Sequence, residues 1–198
     1  MRRRTFDVLV STAGVVIAVG LVVVGALAFV GFKYANDNVT TQLSEQNIMF
    51  PEAGDEAYDD PRIGPYLSQY AGQKLTTGAQ AQAYADRFIK VHIADLGKGT
   101  PSEGLTYAEL GPLTRANPDD AALQAQRDTV FKGETLRGLL LNAYAWWKLG
   151  QIALWASIAA LALAAVMAVL SVFGFVHARR VAPEAEVLAA PRLHRAAS

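Results

Sequence analysis

The chain of 198 residues contains no cysteine and only three histidines. The absence of cysteine excludes disulfides, thiolate metal sites and thiol catalysis, and it fits either side of a membrane. Walker and dinucleotide-binding glycine motifs are also missing, and the residues around Ser102 lack the nucleophile-elbow pattern. The sequence therefore offers few groups from which an active site could be built.

Charged residues are missing from two long apolar stretches, 8–32 and 149–176. Each is longer than the roughly 20 residues that cross the hydrocarbon core of a bilayer. Because these stretches concentrate a large share of the apolar residues, we expect no large soluble core. We expect an all-α membrane protein with two transmembrane helices, at 8–32 and 149–176, and a small helical bundle at 33–148 between them.

The flanks of these stretches indicate the topology. Three arginines precede the first stretch, and Arg179 and Arg180 follow the second. Cytoplasmic flanks of membrane helices carry such an excess of basic residues. We therefore expect both termini, 1–7 and 177–198, in the cytoplasm and the segment 33–148 outside it, with the tail after Arg180 disordered.

The balance of charge in the middle segment restricts its partners. Between Tyr34 and Trp147 there are 15 acidic and 9 basic residues, a net charge of −6. This balance argues against nucleic acid as a partner. Aromatic residues cluster at the two ends of the segment, where amphipathic rings favour the membrane interface. The predicted interface residues are Tyr34, Tyr144, Trp146 and Trp147.

A cleaved signal peptide is the alternative to a first membrane span. Ala26 and Ala28 have the spacing that a signal peptidase recognises, after a basic start and an apolar run. The run is longer than the usual 7 to 15 residues of a signal core, and it continues through Phe32. These features favour an uncleaved signal anchor.

Helical spacing and capping signals predict the structure of the middle segment. The first helix continues towards Pro51, and a short helix occupies 62–71. A capping box starts a helix at Thr77, which runs to Leu96, and a second cap is expected at Thr106 before Gly111 and Pro112. Asn117 and Pro118 are expected to start the helix that leads into the second span. Together these elements predict a bundle of about four helices.

Small residues recur at helical spacing in both apolar stretches. Gly14 and Ala18 stand four apart in the first, and Ala156, Ala160, Ala164 and Ala168 form a ridge in the second. Such faces let membrane helices approach closely. We expect them either to pack on each other or to receive another subunit.

Groups that could carry chemistry are scattered. The topology separates His92 from His177 and His194, so two imidazoles cannot bind one metal ion within a single chain. The acidic loop 55–60 lacks the alternation and central glycine of an EF-hand. Neither span contains an acid, a base or a histidine that could relay protons. We expect no catalytic residue, metal ion or cofactor.

Three runs carry a resemblance to a known family: TGAQAQAYADRFI at 77–89, TYAE at 106–109 and FKGETLRGLLLNAY at 131–144. They resemble small two-span actinobacterial membrane proteins of unassigned function, and the likeness covers nearly the whole chain except the tail. The resemblance implies a location in the bacterial cytoplasmic membrane. Members are often labelled aromatic ring-opening dioxygenase, which implies iron held by two histidines and a carboxylate. The separation of the histidines contradicts that activity here.

Two classes of function remain. The first is a non-enzymatic structural or accessory subunit of a bacterial envelope or respiratory assembly, with the lipid bilayer and other membrane subunits or a second copy as partners. The alternative is an extracytoplasmic sensor module that signals to a partner through its helices. The segment after the second span is too short for a signalling domain, so a sensor would need that partner. An enzyme ranks third.

Overall fold

The protein is helical in the computed structural model, which describes residues 2–182 and 185–187. The described residues contain no β-strand, which confirms the all-α class for this part of the chain. The α-helices are α1 (Arg3–Glu45), α2 (Gly64–Leu67), α3 (Gly78–Ala83), α4 (Lys90–Ala94), α5 (Tyr107–Ala116) and α6 (Ala121–Arg180). Short 3₁₀ turns lie at Glu56–Asp59 and Ser68–Tyr70, and a π-helical turn at Tyr84–Ile89 joins α3 to α4.

Helices α1 and α6 are long and apolar enough to cross a membrane. Only 11% of the most apolar window in α1 and 17% of that in α6 is buried within the protein. The core helix of a soluble protein buries most of such a stretch. The exposure of these apolar faces therefore indicates a membrane location.

The outer ends of these helices differ from the sequence prediction. Helix α1 already begins at Arg3 and α6 continues to Arg180, so both helices extend beyond the predicted spans 8–32 and 149–176. His177, Arg179 and Arg180 lie in the last turn of α6, where positive charge interacts favourably with the helix dipole. Most of the remaining tail lies outside the described residues.

The chain divides into two compact units. The terminal unit comprises Met1–Gly31 and Ala153–Ser198, and the central unit comprises Phe32–Ile152. We refer to the parts of α1 and α6 in the terminal unit as the terminal helix pair. The central unit contains the rest of α1 and α6 together with all the shorter helices.

The core of the central unit is built from apolar residues of several helices and of the loops between them. Its large side chains each contribute about 1.5–3 kcal/mol on burial. The buried members are Val39, Leu43, Phe50, Ile63, Leu67, Leu75, Ala81, Ala85, Ile89 and Leu140. Because Val39 and Leu43 belong to α1 and Leu140 to α6, this core anchors both long helices.

Two capping boxes start helices α3 and α5, as the sequence predicted. Thr77 accepts a hydrogen bond from the backbone of Gln80, whose side chain accepts one in return. Thr106 and Glu109 form the same reciprocal pair. Each cap stabilises its helix by about 1 kcal/mol. These caps fix where the short helices begin against the core.

The predicted start of α6 at Asn117 is wrong. Helix α5 runs through Pro112, so Asn117 ends it instead, with its backbone N–H donating to the carbonyl oxygen of Leu113 at 3.0 Å. Asp120 caps α6, because its carboxylate accepts from the backbone of Leu123 at 2.9 Å. Asn and Asp both favour the N-cap position, so residue type does not distinguish Asn117 from Asp120. The length of α5 decides, because this helix extends to Ala116.

Candidate functional site

The terminal helix pair packs through small residues. Gly14 lies against Ser171, and a Cβ atom at Gly14 would collide with the Ser171 hydroxyl. Gly174 faces Ser11 in the same way. Ala18, at 7% exposure, is buried as well. These contacts place the predicted residues Gly14 and Ala18 where side chains of α6 come close to the α1 backbone.

The small-residue ridge of α6 differs in detail from the predicted one. Ala160 and Ala164 are buried, whereas Ala156 and Ala168 are exposed and lie outside the packing face. Ser157 is buried in place of Ala156. Constant four-residue steps drift by about 40° each around an α-helix, so a straight contact face must alternate steps of three and four.

The serines of α6 are the part of this face that sequence reasoning missed. Ser11, Ser157 and Ser171 are all at most 4% exposed, and the Oγ of Ser157 donates to the carbonyl oxygen of Gly25 at 2.8 Å. Hydroxyl groups bond between helices in this way where lipid offers no partner. Their spacing gave a usable signal, because Ser157, Ala160 and Ala164 follow steps of three and four.

The four predicted interface aromatics differ in how far they are exposed. Tyr34 and Trp146 are 72% and 56% exposed. Trp147 packs against the core of the central unit and lies so close to Gly78 that a Cβ there would collide with it. Tyr144 stacks beside Trp147 with ring centroids 6.1 Å apart. Tyr34 and Trp146 are therefore the exposed members of the four, whereas Tyr144 and Trp147 are half-buried.

Tyr34 and Trp146 line a groove of about 360 Å³ between α1 and α6 in the central unit. Four primary amides line it as well, and no charged side chain does. The amides are those of Asn38, Gln42, Gln46 and Asn142. Gln42 donates to the side-chain oxygen of Asn38 at 2.6 Å. The sequence shows Asn38, Gln42 and Gln46 at four-residue spacing, but Asn142, which lines the same groove, lies far along the chain.

Ion pairs connect residues on the surface of the central unit. Arg62 forms ion pairs of 2.6 Å with Asp60 and with Asp95. Hydrogen bonds from this guanidinium hold the pKa of Asp60 at about 2 and lower that of Asp95. Arg137 pairs with Asp86 at 2.8 Å. The acidic loop therefore contributes to structure, because Asp60 orients Arg62.

Histidines and acids do not converge on a metal-binding arrangement in the part of the chain that the structure describes. The Nδ1 atom of His92 lies 2.7 Å from the carbonyl oxygen of Phe88. In the terminal unit, His177 lies 3.8 Å from Asp7. His194 falls outside the described residues.

Ser102 forms hydrogen bonds that have a structural role. Its hydroxyl donates to the side-chain oxygen of Gln126 at 2.7 Å, and the amide nitrogen of Gln126 donates back to the Ser102 carbonyl at 2.8 Å. An amide oxygen is not a base that could activate a nucleophile. The pair closes the loop after α4 onto α6.

No protein-family model, curated protein or solved structure matches the chain.

Proposed function

We propose that the protein is a two-span integral membrane protein that serves, without catalysis, as a structural or accessory subunit of a larger assembly in the bacterial cytoplasmic membrane. The observation that carries this proposal is the large apolar surface left uncovered on α1 and α6 beside a closely packed inner face. A subunit needs both a stable helix pair and outer faces that other membrane helices can contact.

The topology forms part of the proposal. Arginines at both ends support termini in the cytoplasm and an acidic central unit on the extracytoplasmic side. The resemblance to small actinobacterial two-span proteins supports this arrangement. Ring-opening dioxygenase chemistry does not fit, because the histidines and acids of the described residues form no cluster that could hold iron.

Exposed small residues on the outer faces suggest where a neighbouring subunit binds. No atom of the described residues lies within 4 Å of where the Cβ of Gly20 on α1 would be, and Ala156 of α6 is exposed. Neither takes part in the contact between the two helices. A helix of another subunit can approach these positions closely without disturbing the terminal helix pair.

Purification of the tagged protein from membranes in mild detergent tests the proposal. We expect a stoichiometric membrane partner, identified by mass spectrometry, or a defined oligomer of this chain. Gly20→Leu combined with Ala156→Leu should abolish that association and leave the helix content and melting of the protein unchanged. A protein that stays monomeric in native-like bilayers, with and without these changes, would contradict the subunit role.

A sensor is the second candidate, because the groove lined by Asn38 and Trp146 offers a place for a ligand. A sensor should change its partner contacts when the ligand binds, whereas a structural subunit keeps them. Cross-linking of single cysteines on the outer faces, with and without ligand, separates the two roles.

A further inference from the structure

The groove in the central unit combines two kinds of contact on facing helices. Asn38 and Gln42 lie one helical turn apart on α1, and Gln46 follows in the turn after its end. The groove follows α1 from Tyr34 to Gln42, about 12 Å at the helical rise. On α6, Leu139, Asn142 and Trp146 supply the opposite wall. Its volume of about 360 Å³ lies within the usual range for small-molecule sites.

The amides retain most of their hydrogen-bonding capacity. Each primary amide offers two donors and one acceptor oxygen. Within the described chain, Gln42 and Asn38 bond to each other, and the side chains of Gln46 and Asn142 have no protein partner. Closely spaced donors and acceptors of this kind match hydroxyl groups, which both donate and accept.

The lining disfavours two other ligand classes. An anion such as phosphate needs cationic groups or a helix N-terminus, and no lysine or arginine lines the groove. An acyl chain would bury the amides of Gln46 and Asn142 without partners, at a cost of about 1–3 kcal/mol for each unsatisfied group. An uncharged ligand rich in hydroxyl groups avoids both penalties.

The two exposed aromatic rings offer an apolar contact for such a ligand. Trp146 and Tyr34 stand at the groove, with flat apolar faces and a polar atom at the edge. A sugar ring has an apolar face of C–H groups and a rim of hydroxyls, so it can stack on the indole while its rim faces the amides. Leu139 extends the apolar wall beside Trp146.

We propose that this groove is a binding site for an uncharged saccharide of one or two rings. The amides of Gln42 and Asn142 bind its hydroxyls, and Trp146 stacks on a ring face. The site goes beyond the subunit role, since it gives the central unit a ligand of its own. The saccharide is either free or the headgroup of a glycolipid, because both present the same hydroxyl pattern.

Titration calorimetry on the full chain in phospholipid nanodiscs tests the free sugars, with maltose and N,N′-diacetylchitobiose as probes. Native mass spectrometry on nanodiscs that contain diglucosyl diacylglycerol tests the headgroup. Binding of a free sugar identifies a soluble ligand, and retention of the glycolipid alone identifies a headgroup site. In either arm, Gln42→Leu and Asn142→Leu should each weaken binding about tenfold, and Trp146→Ala should abolish it.

Gln69→Leu is the matched control, since Gln69 is an exposed amide of the central unit outside the groove. It should bind like the unchanged protein. All groove substitutions are at exposed positions, so circular dichroism should show intact folding. Absence of binding in both arms, or unchanged binding by the groove variants, would overturn the proposal. So would a dimer that Gln42→Leu or Trp146→Ala dissociates, because the groove would then be an interface between copies.

Discussion

The hydroxyl of Ser157 donates to the backbone oxygen of Gly25 across the terminal helix pair at 2.8 Å. Gly25 allows this approach, because a Cβ at that position would lie 2.9 Å from the Cγ of Leu161. Glycine and serine therefore act together: the first brings the helices close and the second adds a polar contact. Interhelical hydrogen bonds of this kind contribute about 0.6 kcal/mol on average, so steric fit dominates the stability of the pair.

The first prediction concerns that steric fit. Replacing Gly14 and Ala18 together by Leu should force the terminal helix pair apart and lower its stability by about 1–3 kcal/mol, because a side chain at Gly14 has no room beside Ser171 and Ala18 is buried. Denaturation in mixed micelles, followed by circular dichroism, measures the loss.

Gly20→Leu is the control on the same helix, since its side chain would enter open space. It should not lower the stability of the isolated protein. Equal stability of the double variant and this control would show that the Gly14 face does not hold the pair together.

The second prediction concerns the contact between Gly78 and Trp147. Gly78→Ala places a methyl group against the base of the indole, and we expect a loss of about 1–3 kcal/mol in the free energy of unfolding of the central unit. Gly138→Ala is a matched change in an open part of α6, where alanine should instead stabilise the helix by about 1 kcal/mol. Thermal melts of both variants should shift in opposite directions, and shifts of the same sign would refute the close contact.

The third prediction concerns acid stability. Because Arg62 lowers the pKa of Asp60 to about 2 and also lowers that of Asp95, these carboxylates stabilise the folded state above their ordinary pKa of about 4. This contribution should disappear as the pH falls from about 4 towards 2. Melting temperatures measured across this range should fall less steeply for Arg62→Gln than for the unchanged protein.

Asp59→Asn provides the comparison, since Asp59 neighbours the cluster in sequence but forms no ion pair with Arg62. Its melting profile should follow that of the unchanged protein. A parallel profile for Arg62→Gln would mean that the ion pairs contribute nothing to acid stability.

The fourth prediction concerns topology. The chain has no cysteine, so single substitutions give unambiguous labelling sites. Ser68→Cys, at an exposed position of the central unit, should react with a membrane-impermeant maleimide on intact cells, and Thr5→Cys should react only after lysis. Ser102 is unsuitable because it is only 9% exposed. Labelling of Thr5→Cys alone on intact cells would reverse the proposed orientation.

Local signals in the sequence were sufficient for several features of the fold. The two apolar stretches indicated the long helices, and the pairs Thr77 with Gln80 and Thr106 with Glu109 were recognisable as capping boxes because each lies within one helical turn. Short-range physics determines these features, so a single chain segment contains the whole signal.

Contacts between distant residues could not be predicted in the same way. Arg62 and Asp95 lie 33 residues apart, and nothing in either segment indicates the other. Trp146 and Trp147 are neighbours, yet only the packing of α6 on the core decides which of them is exposed. The groove depends on the alignment of α1 with α6, and its amides were therefore not recognised as a site.

The π-helical turn at Tyr84–Ile89 has a consequence for the register of α4. A π-helical turn accommodates one more residue than an α-helical turn, so it changes which side chains face inward after it. If the same residues were wound as a regular α-helix without this turn, α4 would be rotated by about 100° about its axis. Ile93, which now contacts α6 at Gly133, would leave that position, and the two helices would lose their fit. The extra residue in the turn thus determines which side chains of α4 face α6.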